Sequence, residues 1–205
     1  GPLATGLVIT IEISLYSMLL TLVLGLLTAL LRMSNSLSGQ VLARVYLETI
    51  RNTPMLVQIY VFYFVIAPVL GIDRFWTGVL CLGLFEGSFA SEIIRVGINS
   101  VPRGQWEAAS SVGLSRFASY RYVVLPQAIP LMLPPMTGVL INLIKHSAIV
   151  SVIAVFELTT EGRNIIADTY MAFEVWLTVA GIYLVLTVSL SICVGYLERR
   201  LRQPA

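Results

Sequence analysis

The chain has 205 residues, of which 57% are hydrophobic and 12% charged, and its mean hydropathy is +0.87. A soluble domain of this length carries about twice that charged fraction, so a soluble fold is excluded and the surplus apolar side chains call for a bilayer. A net charge of +2 gives no basic field suited to nucleic acid, and the positions of the charges carry more information than their sum.

Five stretches approach the roughly 20 apolar residues that a helix needs to cross the hydrocarbon core. The first, residues 6–31, is uncharged from Ile13 onward and is followed by Arg32, Arg44 and Arg51. No basic residue precedes it, so a secretory signal peptide is not expected. The second is 55–71. The third, 75–96, is interrupted by Glu86 and Glu92, and a polar stretch with Arg103, Arg116 and Arg121 follows. The fourth, 130–156, contains Lys145 and His146. An acidic connection over 157–174 leads to the fifth, 175–197, which is uncharged and precedes Arg199, Arg200 and Arg202. None of these runs alternates as barrel strands do, and a helix satisfies its own backbone in lipid. The expectation is one all-α, polytopic membrane domain over 1–205 with five transmembrane helices. Nine arginines fall on one side of the spans against Arg74 and Arg163 on the other. The positive-inside rule then puts the N-terminus outside and the C-terminus in the cytoplasm. Cys81 and Cys193 lie in apolar runs and imply no disulfide framework.

The cytoplasmic stretch from about 99 to 126 is more than a connector. After Pro102, "GQWEAASSVG" reads as a short helix: Glu107, Ala108 and Ala109 are good formers, and Gly113 stands where a C-terminal cap falls. "LSRFASYRYVVL" places Leu114, Phe117, Tyr120 or Arg121, and Val124 at helical spacing. Pro126 and Pro130 mark the start of the fourth span. Such a pair of helices is either a knob that docks in a partner's groove or an amphipathic linker on the inner membrane surface.

The spacing Glu107-Ala108-Ala109, Gly113, Val123, Leu125-Pro126 resembles the EAA loop of membrane subunits of ATP-binding-cassette importers, with Val123 in place of the commoner isoleucine. "RNTPMLVQIY", "SEIIRVGINSVPRGQ" and "KHSAIVSVIAVFELT" are similar to segments of the polar amino acid uptake branch. The resemblance implies a type I importer-like permease whose loop, through Glu107, Ala108, Ala109, Gly113, Leu125 and Pro126, couples to ATPase subunits. It implies two ATPase subunits, a second permease copy or sister permease, an extracytoplasmic binding protein and an amino acid substrate in a prokaryotic inner membrane. The chain has no phosphate loop, and its single lysine lies in a span. No cofactor is expected here, ATP and magnesium belonging to the partner ATPase, and neither a catalytic set nor a metal cluster is evident.

Ionisable residues inside spans are costly and face partners or cavities. Glu92 and Arg95 are three apart and read as a structural pair. Glu86 falls near the midplane, where the family more often has an uncharged residue. Glu86, Lys145 and Asn142 are therefore the substrate-binding candidates. The alternative is a Glu86–Lys145 bridge that only fixes helix packing. His146 reads as a polar residue turned toward a neighbouring helix. Pro130, Pro134 and Pro135 free backbone carbonyls that suit a cavity wall.

Overall fold

The computed structural model describes residues 1–201, with side chains as far as Tyr196. Arg202 lies outside the described residues, as do the side chains of Arg199 and Arg200. Among the described residues every regular element is helical. In order these are α1 (Pro2–Met33), α2 (Leu37–Arg51), α3 (Met55–Val61), α4 (Ala67–Leu70), α5 (Arg74–Asn99), α6 (Arg103–Ser111), α7 (Arg116–Ser119), α8 (Leu125–His146), α9 (Leu158–Thr169) and α10 (Ala172–Leu201).

Packing is inverted relative to a soluble bundle. The buried face of α1 is mostly small and polar, with Thr10, Ser14, Ser17, Thr21 and Thr28 beside Gly6, Gly25 and Ala29 and Ile13 its one large residue, while Leu15, Leu19, Val23 and Leu27 are exposed. Lipid offers no hydrophobic reward for hiding leucine, so close backbone approach between small residues holds the helices together. The central pair is α1 against α5. A Cβ on Gly25 would stand 2.8 Å from that of Ala90, and the hydroxyls of Ser17 and Thr21 reach the carbonyls of Val79 and Gly83. One end of the bundle is basic: Arg32 closes α1 and pairs with Glu92, which also holds Arg95. At the opposite end α9 lies against the start of α1, its acidic residues beside Gly6.

By length and composition three described helices can cross a membrane, Pro2–Met33, Arg116–Ile153 and Ala172–Tyr196. A fourth is gained if α2 and Met55–Leu70, which meet at 108°, count as one broken span. The expected five are not reached by that measure. At 26 residues α5 is long enough, but it carries Arg74, Glu86, Glu92 and Arg95. The 55–70 segment reaches about 24 Å against a core of about 30 Å. Its corner is pinned by Gln58, whose amide donates to the carbonyls of Ile50 and Thr53.

The fourth span also corrects an expectation. Pro126 does not mark its start. The helix begins at Arg116, passes through a π-turn at Tyr120–Val124 and continues as α8. A second π-turn, Phe62–Ile66, stands equally close before Pro68. Proline lacks an N–H and crowds the carbonyl four residues back; the wider π-turn gives that carbonyl room and keeps the helix unbroken. Pro130, Pro134 and Pro135 likewise lie inside α8 without ending it.

Candidate functional site

Glu86 occurs twelve residues into α5, about 18 Å from its start and near its middle. Its side chain is 3% exposed. Facing it, a stripe of α8 made of Pro135, Gly138, Val139, Asn142 and His146 completes a cavity of about 410 Å3, walled on the α5 side by Phe85 and Phe89. Small Gly138 leaves space, and the 142/146 spacing puts both polar side chains on one helical face. The Glu86 carboxylate and His146 Nδ1 are 2.6 Å apart, and the Phe85 ring meets the imidazole edge-on at 5.9 Å.

The expected Glu86–Lys145 bridge is not formed. Successive residues on a helix point about 100° apart, so aiming His146 at α5 turns Lys145 away from it. Lys145 is exposed and does not line the cavity. The structure therefore brings together Glu86 and Asn142 of the expected set, excludes Lys145, and adds His146.

Below the cavity, Arg51 stands over the Phe89 ring at 5.2 Å and donates to the Ser88 carbonyl. It also lines a polar groove of about 460 Å3 with Arg32, Gln40, Arg44, Glu48 and Asn52. At the other end of the bundle Glu157 is fully buried as the N-cap of α9. It accepts from the backbone N–H groups of Thr159 and Thr160 and from the Tyr183 hydroxyl. Burial pushes its carboxyl up, against the opposing pull of those hydrogen bonds. Its role was missed in the sequence, where it reads as one acid among several in a loop; the available signal is a carboxylate directly before a helical run.

The loop forms as the sequence predicts up to Gly113. Helix α6 ends in a Schellman motif: Gly113 takes φ +78°, its N–H bonds to the Ser110 carbonyl at 3.0 Å, and that of Leu114 to the Ala109 carbonyl at 3.1 Å. Ala109 is buried, and Trp106 meets Tyr120 edge-on at 4.9 Å. Glu107 and Ala108 are exposed, and the Glu107 carboxylate makes no hydrogen bond among the described residues. Val112 and Phe117 are 75% and 80% exposed. Leu125 lines an apolar groove with Ile94 and Ile98, and Pro126 is exposed.

Residues 21–203 match the family described as the binding-protein-dependent transport system inner membrane component. The chain belongs to this family. It is 40% identical to the probable glutamine ABC transporter permease protein GlnM of Bacillus subtilis, over 88% of this chain and 84% of that one. It is 37% identical to the glutamine transport system permease protein GlnP of Escherichia coli K12, over 98% and 93%. Among solved structures, an amino acid ABC transporter with histidines matches at 37% identity and a TM-score of 0.88, over 97% of this chain and 94% of that one. The MetNI methionine ABC transporter, at 19% identity and TM-score 0.81 over 98% and 96%, shows the same fold. The fold is that of type I ABC importer permeases, as the EAA spacing implies.

Proposed function

We propose that this chain is the inner-membrane permease subunit of an ATP-driven importer for a polar amino acid. It forms the pathway with a second copy or a sister permease, receives cargo from an extracytoplasmic binding protein, and leaves ATP and magnesium to two ATPase subunits. In this reading the basic end lies in the cytoplasm, the N-terminus outside and the C-terminus inside. The α6 knob seats on the ATPase, with Glu107 and the exposed Val112 and Phe117 available to the partner.

The observation that carries the reading is the joining of knob to cavity. A short helix with a fixed C-terminal turn is packed through Trp106 and Tyr120 onto the helix that ends at Asn142 and His146. The glutamine-named relatives favour a neutral polar cargo. Glu86 supports a second reading, a basic amino acid whose cation meets the carboxylate. Reconstituted with ATPase subunits and binding protein, the complex takes up glutamine only with ATP. Flux down a gradient without ATP would indicate a passive channel, and no flux a scaffold.

A further inference from the structure

Glu86 is a carboxylate buried in the middle of α5, and a charge there must be compensated. Among the described residues its side-chain partner is His146 and no other. His146 itself is 42% exposed, so the imidazole stands between the buried acid and the open side of the cavity. The other ionisable groups nearby do not reach the carboxylate. Arg51 is engaged behind Phe89, and Lys145 points away from the cavity.

We infer that His146 is the specificity-determining residue of this cavity: resident on Glu86, it fits the site to amino acids with a neutral polar side chain and excludes cationic ones. This rests on the reading that the cavity between α5 and α8 lies on the cargo path. With the pair intact, an incoming molecule meets the second imidazole nitrogen, the Asn142 amide and the Phe85 and Phe89 rings. An amide side chain finds donors and acceptors there without disturbing Glu86. An ammonium or guanidinium side chain can reach the Glu86 carboxylate only by displacing the imidazole that already occupies it. Displacing a buried hydrogen-bonded pair weakens binding severalfold or more. The sequence singled out Glu86 as a site for basic cargo. With His146 occupying it, the carboxylate favours the opposite choice, and basic cargo becomes what the site accepts once His146 is gone.

The test is binding of radiolabelled glutamine and lysine to the purified permease–ATPase complex, without binding protein, so that the permease's own preference is read. The unaltered complex binds glutamine in preference to lysine. His146→Gln, which takes the imidazole off Glu86, raises the lysine-to-glutamine ratio by about tenfold, and the double variant Glu86→Gln/His146→Gln returns it toward the original value. His146→Asn serves if the first variant does not assemble. A ratio unchanged in an assembled His146 variant overturns the specificity role while ATP-driven uptake still supports the permease reading. An unaltered complex that imports glutamine but binds neither probe overturns the placement of cargo in this cavity, and this inference with it.

Discussion

Replacing Gly113 with valine tests the coupling reading at its stiffest point. The residue holds φ +78° with no heavy atom within 4 Å of where a Cβ would stand, so a side chain meets no neighbour and the whole penalty is backbone conformation. A left-handed non-glycine residue costs about 1–2 kcal/mol, and a β-branched side chain, stiff at χ1, about 1–3. If the turn gives way instead, the two Schellman bonds to Ser110 and Ala109 are lost, at about 1 kcal/mol each. Either route disfavours the closed turn by roughly 2–3 kcal/mol, a factor of about 30–150 in population. A nine-residue helix has little stability of its own to absorb this. The apolar cluster that α6 touches through Trp106 does not include Gly113, and the rest of the bundle is away from the turn. In liposomes, ATPase activity stimulated by loaded binding protein should fall at least tenfold in Gly113→Val, fall less in Gly113→Ala, and stay near the original in Gly113→Asn, since asparagine tolerates the left-handed region. Melting temperature should move little across the series. Unaltered stimulation in Gly113→Val, or equal loss in the valine and asparagine variants, would refute the reasoning.

Three further outcomes follow from the packing. Gly25→Val forces a branched side chain into the α1–α5 contact at Ala90 and should cost about 1–3 kcal/mol, read as a lowered melting temperature; an unchanged one would remove close approach as the bond between these helices. Glu92→Gln leaves Arg32 and Arg95 without their shared carboxylate. The groups are about one-third exposed, so solvent discounts the loss to about 1 kcal/mol, and a loss that does not shrink with added salt would argue against an electrostatic cause. Glu157, with its carboxyl raised by burial, contributes stability that is present below the ordinary glutamate range and lost as pH rises through the raised value. The melting temperature should fall over that interval in the unaltered protein and less in Glu157→Gln; parallel pH curves would show that the raised carboxyl plays no part.

The apolar runs and the basic loops were legible because lipid imposes length and charge rules on any sequence. Gly113 was legible because the left-handed turn it makes has few other solutions. Lys145 and His146 were not separable in this way: depth can be counted along a helix, but azimuth decides which neighbour faces Glu86. The signal was present in the spacing, since Pro135, Gly138, Val139, Asn142 and His146 form one stripe and Lys145 falls beside it. Pro126 misled because proline usually ends a helix. Here the π-turn before it supplies the space that the ring takes away, and propensity alone does not register that remedy. The 108° corner at Gln58 was hidden because its amide bonds reach backbone carbonyls of α2 and the loop, which no periodicity reports.

The continuous fourth span changes what the loop can transmit. Had the helix begun at Pro126, the knob would hang from the bundle by a flexible joint, and a push on α6 would dissipate there. Because helical structure runs over Arg116–Ile153, Tyr120, which takes the contact from Trp106, and His146, which meets Glu86, belong to one rod about 39 Å apart. The place along that rod with altered hydrogen bonding next to the knob is the π-turn at Tyr120–Val124, and such turns inside α-helices are frequent at functional sites. A displacement of α6 then has two outlets, a local change at the π-turn or motion of the whole rod. The half of the rod nearer the knob is held by Ala128 and Met132 packed against Ile94 and Ile98 of α5, which favours the two helices moving together there. Its far half carries the polar pair across the same two helices. A tilt about the apolar contact would therefore be felt at the Glu86–His146 hydrogen bond, so that under the proposed function the ATPase contact and the choice of cargo stand at opposite ends of one helix.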